Sequence, residues 1–475
     1  MKKYFLIAVF ASFLFNNLSG QKVVSLSKQS TPEQIGNKFV YYMDETNALT
    51  INNILNSGKF TPPKTDVVNL NVFYGTNWSL AKFTCKENAD YYFSLEPCAY
   101  TSVQVFQKKN NENWTNEVQY RRLEENNRRI VSNHTLFKIH INAADTVTLL
   151  LRNHDYMPTQ LILKSGTLQS FIEIFHREDF FYCFVFGIIF TMLLYNFYLF
   201  VTQKQLVYFS YSIYAFSSLL FFFQTSGNAN HLPGFLYWLL EICPAAPPAL
   251  LAFSALFFTL QLFKNKLPKL LVKIMWGAIV FALTPILVYF IGYKREAFLI
   301  LQPVALIYVI LTLTTGLIAF RRKLDSVKFY LFGFGTYGAF FLYFLTEVVG
   351  LVAFNDNAFK MLSTGLTIEV IMLSFAVGDK MKSFLQQKEK AQEESLKQSR
   401  ENERIVKEQN IILEEKVAER TKQFKEQKEI AEEQQKIVEE KQKEIIDSIT
   451  YASRIQRALI TSEKYFARKL NELKM

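Results

Sequence analysis

Glycine and proline are scarce in this chain, 17 and 12 among 475 residues, and neither occurs after Gly378. That excludes a collagen-like fibre and a Pro/Gly-rich disordered chain. Cysteine is scarcer still. There are four, none beyond Cys243, too few for a disulfide-framework protein or a cysteine-ligated zinc cluster. The five histidines stop at His231, so the C-terminal part carries no phospho-accepting histidine. No glycine-rich phosphate loop is present, and the tail holds only two aspartates, Asp379 and Asp447. Nothing there has the pattern of a nucleotide or metal site. His134, His140 and His154 show no metal-ligand spacing. The residues give no catalytic centre and no cofactor.

What the chain has is hydrophobic and aromatic bulk. Half of it is hydrophobic and 16% aromatic, with 46 Phe and 24 Tyr. Apolar runs fill 180–377 and charge fills the remainder up to Met475, so the chain joins two unlike populations of residues. At the start, Lys2 and Lys3 precede an apolar run from Tyr4 to Phe15 and then polar Asn16-Asn17-Leu18-Ser19-Gly20. This layout predicts a signal peptide over 1–20 or, failing cleavage, a short anchor. The run is too short to span about 30 Å of hydrocarbon. In either case the next segment is exported.

Residues 21–175 read as an exported β-sandwich. Alternating or β-branched runs occur at Leu80–Thr84, Tyr91–Leu95, Thr101–Gln107, Leu136–Ile141, Thr146–Arg152 and Gln160–Lys164, with turn residues between them. A short helix is expected at Thr50–Leu55. Cys85 and Cys98 end two neighbouring strands and could form a disulfide in an exported domain, or stand as two half-buried thiols. Trp78 and Trp114 could stack on a sugar ring of an extracytoplasmic ligand, or fill the core.

Residues 180–377 read as a seven-helix transmembrane bundle. The runs are Phe180–Val201, Leu206–Phe223, Tyr237–Phe263, Val272–Gly292, Phe298–Phe320, Phe329–Phe354 and Met361–Val377, most of them long enough to cross a bilayer. Pro244, Pro247 and Pro248 predict a late start or a kink in the third. With the N-terminal domain outside, the inside loops and the start of the tail hold 11 Lys or Arg, and the outside loops hold three. The positive-inside rule therefore places the C-terminus in the cytoplasm. It also explains the net charge of +11 as topology rather than nucleic-acid binding. Asn196, Glu347 and Glu369 are polar residues inside apolar runs. Such residues mark a ligand, proton or switch site, or a hydrogen-bonded packing element. Without repeated halves or paired broken helices, a transporter is not indicated.

Residues 378–475 read as a cytoplasmic helix. From Asp379 to Met475 there are 22 Lys or Arg and 20 Asp or Glu. Val417, Phe424, Ala431, Val438, Ile445, Ala452 and Leu459 keep a seven-residue step. The partner column is apolar only at Leu413 and Ile455. This is a weak seam, dimeric if it forms a coiled coil, and otherwise a solvated lone helix held by i to i+4 charge pairs. The Ala452–Leu459 face and Glu369 are the candidates for coupling.

Several stretches resemble the bacterial seven-transmembrane receptors with diverse intracellular signalling modules. Leu49–Leu55 is similar to that family's early threonine-led helix, and Leu149-Leu150-Leu151-Arg152 with Gln160–Leu163 to its last strands. Leu194–Phe200, with Asn196, and Tyr208, Tyr211 and Tyr214 resemble its first two spans. Gly365–Ala376, with Glu369, resembles its closing helix. Trp78 is spaced differently from the tryptophan–phenylalanine pair of the family. The resemblance implies a jelly-roll sensor domain, often carbohydrate-binding, in a multi-domain membrane protein of the bacterial inner membrane. Together with the heptad seam and the lack of a catalytic pattern, the expectation is a homodimeric receptor without catalysis of its own. Lys443–Ile460 and Ser462–Phe466 resemble the linker ahead of sporulation-type serine phosphatase domains. The expectation is a receptor that docks a separate cytoplasmic phosphatase or other output protein, or a truncated or split receptor phosphatase.

Overall fold

The computed structural model describes residues 23–473 except 28–30, 57–59, 64–66, 73–74, 97–101, 111, 122–134, 144, 156–157, 233, 264–265, 350, 353–354, 356 and 460–462. The expected signal peptide and Cys98 lie outside the described residues.

The N-terminal part is two facing sheets. Its strands are β1 (Val23–Leu26), β2 (Glu33–Gln34), β3 (Val40–Asp44), β4 (Val68–Val72), β5 (Gly75–Cys85), β6 (Ala89–Glu96), β7 (Ser102–Lys109), β8 (Thr115–Arg121), β9 (Thr135–Ile141), β10 (Thr146–Asp155) and β11 (Pro158–Gly166). One sheet runs β1-β5-β10-β7-β8, with β3 also on β5, and the other runs β2-β11-β6-β9, with β4 also on β11. Two short strands thus share one edge of each sheet. Alternation sends Ala81, Phe83 and Cys85, Tyr91, Phe93 and Leu95, and Val147, Leu149 and Leu151 into one buried core. Phe39, Phe83, Phe93 and Phe137 form a file of rings through it, 5.5–5.7 Å apart. The expected strands are all present, somewhat longer than the apolar runs that announce them. Helix α1 (Ile51–Asn56) covers the opposite face of β5 and β10.

The remaining helices are α2 (Leu168–Gln203), α3 (Leu206–Thr225), α4 (Gly234–Ile242), α5 (Ala246–Leu262), α6 (Lys269–Ala282), α7 (Thr284–Ile291), α8 (Lys294–Arg321), α9 (Val327–Val349), α10 (Ala358–Leu459) and α11 (Glu463–Glu472). Six spans are long and apolar enough to cross a membrane, α6 and α7 together making one. The α4–α5 pair, bent by 96°, is a broken span or a re-entrant loop, and counted as one span it brings the number to seven. The third expected span, Tyr237–Phe263, is therefore not one straight helix. It breaks at Cys243–Ala245, beside the prolines, because proline donates no backbone hydrogen bond. The expected boundary at 175 also moves. The sandwich ends at Gly166 and α2 starts two residues later. The Thr167 hydroxyl accepts the Ser170 amide at 3.2 Å, an N-cap.

Close approaches knit the later spans. A methyl group at Gly365 of α10 would stand 2.7 Å from Phe340 Cδ2 of α9, and one at Gly316 of α8 would stand 2.5 Å from Leu331 Cδ2 of α9. Small residues at such crossings let helix backbones approach in lipid.

Residues 385–475 form a second unit, the remainder of α10 followed by α11. Charge pairs one turn apart line this part of α10, among them Lys407–Glu403 at 3.3 Å and Arg404–Glu408 at 3.5 Å. Leu413, Val417, Phe424, Val438, Ile445, Ala452, Ile455 and Leu459 lie on it, none of them buried in this single chain.

Candidate functional site

The membrane-inserted start of α10, the seventh span, is held at three levels. At the sandwich end, Lys360 Nζ lies 2.6 Å from Glu178 Oε1 of α2. Both side chains are largely shielded, so this pair counts for more than a surface ion pair. In the middle, Asn196 Nδ2 of α2 donates to Ser374 Oγ at 3.1 Å, and Tyr211 OH of α3 donates to the Val370 carbonyl at 2.7 Å. Glu369 is wholly buried there. Its carboxyl faces the Tyr214 hydroxyl, with Tyr308 and Tyr337 in electrostatic range, yet neither carboxyl oxygen has a hydrogen bond of full geometry.

At the far end, the Asp379 carboxylate accepts the Ser326 amide at 2.9 Å, at the N-terminus of α9. Lys380 Nζ donates to the Gln261 carbonyl at 2.9 Å and to the Leu262 carbonyl, at the C-terminus of α5. Ser383 Oγ donates to Asp325 Oδ2 at 3.0 Å, and the same oxygen accepts from Lys266 Nζ. An anion at a helix start and a cation at a helix end both match the helix dipoles. This end of the seventh span is clamped by two neighbouring helices.

Asn196 and Glu369 thus both lie at the middle level, Asn196 against Ser374 of α10 and Glu369 facing Tyr214 of α3. Glu347 is buried in α9, and its carboxyl faces Tyr343. In the sequence Lys360 and Lys380 count only as topology charges, and Asp379 has no role. Hydrophobic pattern carries no signal for which loop a charged residue meets. Tyr308 and Tyr337 escape notice for a related reason: isolated tyrosines in an aromatic-rich bundle do not stand out.

The sandwich is joined to this track without slack. Only Thr167 separates β11 from α2. Phe171 and Phe175 of α2 pack on Leu136 and Tyr92, on the outer face of the second sheet. At the same end β4 touches α8 and α9.

The sandwich candidates fall out differently. Trp78 is 1% exposed, packed with Ile54 and Leu150 under α1, and the Arg152 guanidinium sits 5.4 Å over its ring. A sugar needs an open ring face, so stacking on Trp78 is ruled out, and Trp78 fills the core instead. Trp114 packs half-buried at the margin of the same cluster. Trp78→Ala should cost about 3–5 kcal/mol of sandwich stability, read from chemical unfolding of the purified chain. Cys85 is buried and free; its thiol lies 3.4 Å from the Ile141 and Asn142 carbonyls.

His154 adds a pH dependence. Burial, and then the positive charges of Arg152 and Lys294, hold its imidazole below the ordinary value. The folded chain therefore binds this proton less readily than the unfolded chain. Its contribution is intact above about pH 6.5 and is lost as the pH falls toward the lowered folded value. Melting followed from pH 7.5 to 5 should show stability declining over that window. His154→Asn should flatten the decline.

A β-sandwich joined by one residue to six or seven apolar spans defines a multi-pass membrane protein with a β-rich N-terminal domain. Residues 178–380 match the family model described as 7TM diverse intracellular signalling, and residues 36–166 match that of 7TMR-DISM extracellular 2. The chain belongs to this family of transmembrane signalling receptors, and the matched domains are sensory rather than catalytic. Comparison with individual curated proteins gave no match.

Proposed function

We propose that the chain is a dimeric bacterial inner-membrane receptor. Its sandwich, of jelly-roll type, meets a ligand in the periplasm, and the seventh span relays that event to a cytoplasmic coiled coil. The observation that carries this reading is the seventh helix itself. Polar contacts hold it at three levels of the bundle, and α10 runs from Ala358 to Leu459 without a break. A stimulus that shifts α2 against the bundle reaches α10 through Glu178–Lys360 and Asn196–Ser374. Two packings of the bundle, biased by ligand, suffice for a switch. Carbohydrate is the ligand class that the family resemblance suggests, with Trp114 as the aromatic for stacking.

Two copies would pair through Val417, Phe424, Val438, Ile445 and Leu459, burying an apolar column that one chain leaves bare. The linker-like residues 443–466 favour a serine phosphatase as the output. It would be a separate protein or, in the alternative reading, the catalytic domain of a split receptor phosphatase.

Single cysteines at Val417, Val438 and Lys436 test the dimer in membranes, since the tail has no cysteine of its own. Oxidative cross-linking should be fast at Val417→Cys and Val438→Cys and slow at Lys436→Cys, on the opposite face. Equal rates at all three would remove the coiled-coil dimer.

A further inference from the structure

We propose that the α8–α9 turn, at the end of the bundle opposite the sandwich, is a binding site for the phosphate of an anionic phospholipid headgroup. A groove of about 770 Å³ opens there, bounded by Arg321, Lys323 and Lys328 and floored by Ser326. The three cations are exposed, and none has an ion-pair partner among the described residues.

Two further features point to an anion. The first is the start of α9, a 23-residue helix whose opening amides, at Val327, Lys328 and Phe329, have no acceptor within the helix. The second is the Ser326 hydroxyl. It lines the groove, Ser326 is 4% exposed, and its oxygen has no hydrogen-bond partner. A buried hydroxyl left bare is costly, and a phosphate oxygen would satisfy it.

Two carboxylates share the rim, Asp325 and Asp379. Both are engaged, Asp325 by Lys266 and Ser383 and Asp379 by the Ser326 amide. Lys266 offsets the charge of Asp325, whereas the neutral Ser326 amide leaves Asp379 charged, so three cations against one carboxylate leave the groove positive.

The same phosphate chemistry could come from a lipid or from solution. The flanks favour lipid. Phe320 and Phe329 border the groove at the ends of two spans and are 55% and 40% exposed, an apolar surface for acyl chains beside a cationic pocket for the head.

The test reconstitutes the full chain in nanodiscs of phosphatidylcholine containing a trace of headgroup-labelled phosphatidylglycerol. It measures how much labelled lipid stays protein-bound. Phosphatidylglycerol should be enriched around the parent chain. Arg321→Gln with Lys323→Gln and Lys328→Gln should cut the enrichment by at least about tenfold. Lys204→Gln with Lys269→Gln and Lys273→Gln removes the same charge from other loops on that side and should leave it. Ser326→Gly tolerates the positive backbone φ of 68° and removes the hydroxymethyl side chain; it should weaken enrichment several-fold. Equal losses from both triple variants, or no loss from Ser326→Gly, would reduce the effect to a diffuse surface charge and overturn the site. Inorganic phosphate that saturates the detergent-solubilised parent, with no phosphatidylglycerol enrichment in nanodiscs, would overturn the lipid assignment in favour of a soluble phosphate.

Discussion

Replacing Asp379 and Lys380 together by alanine should release the end of the seventh span opposite the sandwich while the rest of the bundle stays folded. Asp379 serves the start of α9, and Lys380 serves the end of α5. Each is a charge-assisted contact to a helix terminus, where the backbone has no partner of its own. Such bonds contribute about 1.5–3 kcal/mol apiece where water is partly excluded. Losing two should raise the local opening of residues 376–384 by at least about tenfold. Amide hydrogen exchange of that segment measures it. Lys380→Arg keeps a donor in place and should behave close to the parent. Exchange unchanged in the double variant would mean that apolar packing, not the clamp, fixes the helix.

Gly365→Leu should have the largest effect on the bundle as a whole. No side chain fits at Gly365, because even a methyl group would overlap the Phe340 ring and stand 3.0 Å from Phe340 Cβ. Phe340 is carried on the backbone of α9, so relief requires the two helices to separate. Overpacking of this kind costs about 1–3 kcal/mol and at times more. It also moves α10, and with α10 the contacts of Lys360, Ser374 and Asp379. Thermal melting of the solubilised chain should show a clear drop. Phe340→Ala in the same chain should restore part of it by making room. A parent-like melting temperature for Gly365→Leu would mean that α9 and α10 are not in close contact at this crossing.

How much of this was legible in the sequence depended on the physical source of each feature. The central strands announced themselves because their inner face is apolar and their period is two; Phe83, Phe93, Phe137 and Leu149 sit on that face. The edge strands β1, β2, β3 and β4 were not legible. They are short, two of them share each edge of a sheet, and pairing rather than side-chain pattern defines them. Hydrophobic length gave the spans, and the prolines gave the break near Cys243. The helix that carries the first span begins before the apolar run, and that early start was not legible because its first turns carry Glu173, His176, Arg177, Glu178 and Asp179 and so read as surface. Those turns are helical all the same, since Phe171 and Phe175 pack on the sandwich. Asn196 and Glu369 stood out as polar residues in apolar runs. Their partners did not, because a buried polar contact is decided by which helices meet.

The proposed relay would need mechanical continuity from the sandwich to the tail, and the ion pair between Glu178 and Lys360 is where it can be interrupted most directly. Cross-linking yield at Val438→Cys, measured in membranes, should shift when Glu178→Lys or Lys360→Glu is introduced alone. It should return to the parent yield when the two are combined, because the swap rebuilds the pair with its charges exchanged. An identical yield in all four chains would show that the tail does not register what happens at the far end of the seventh span.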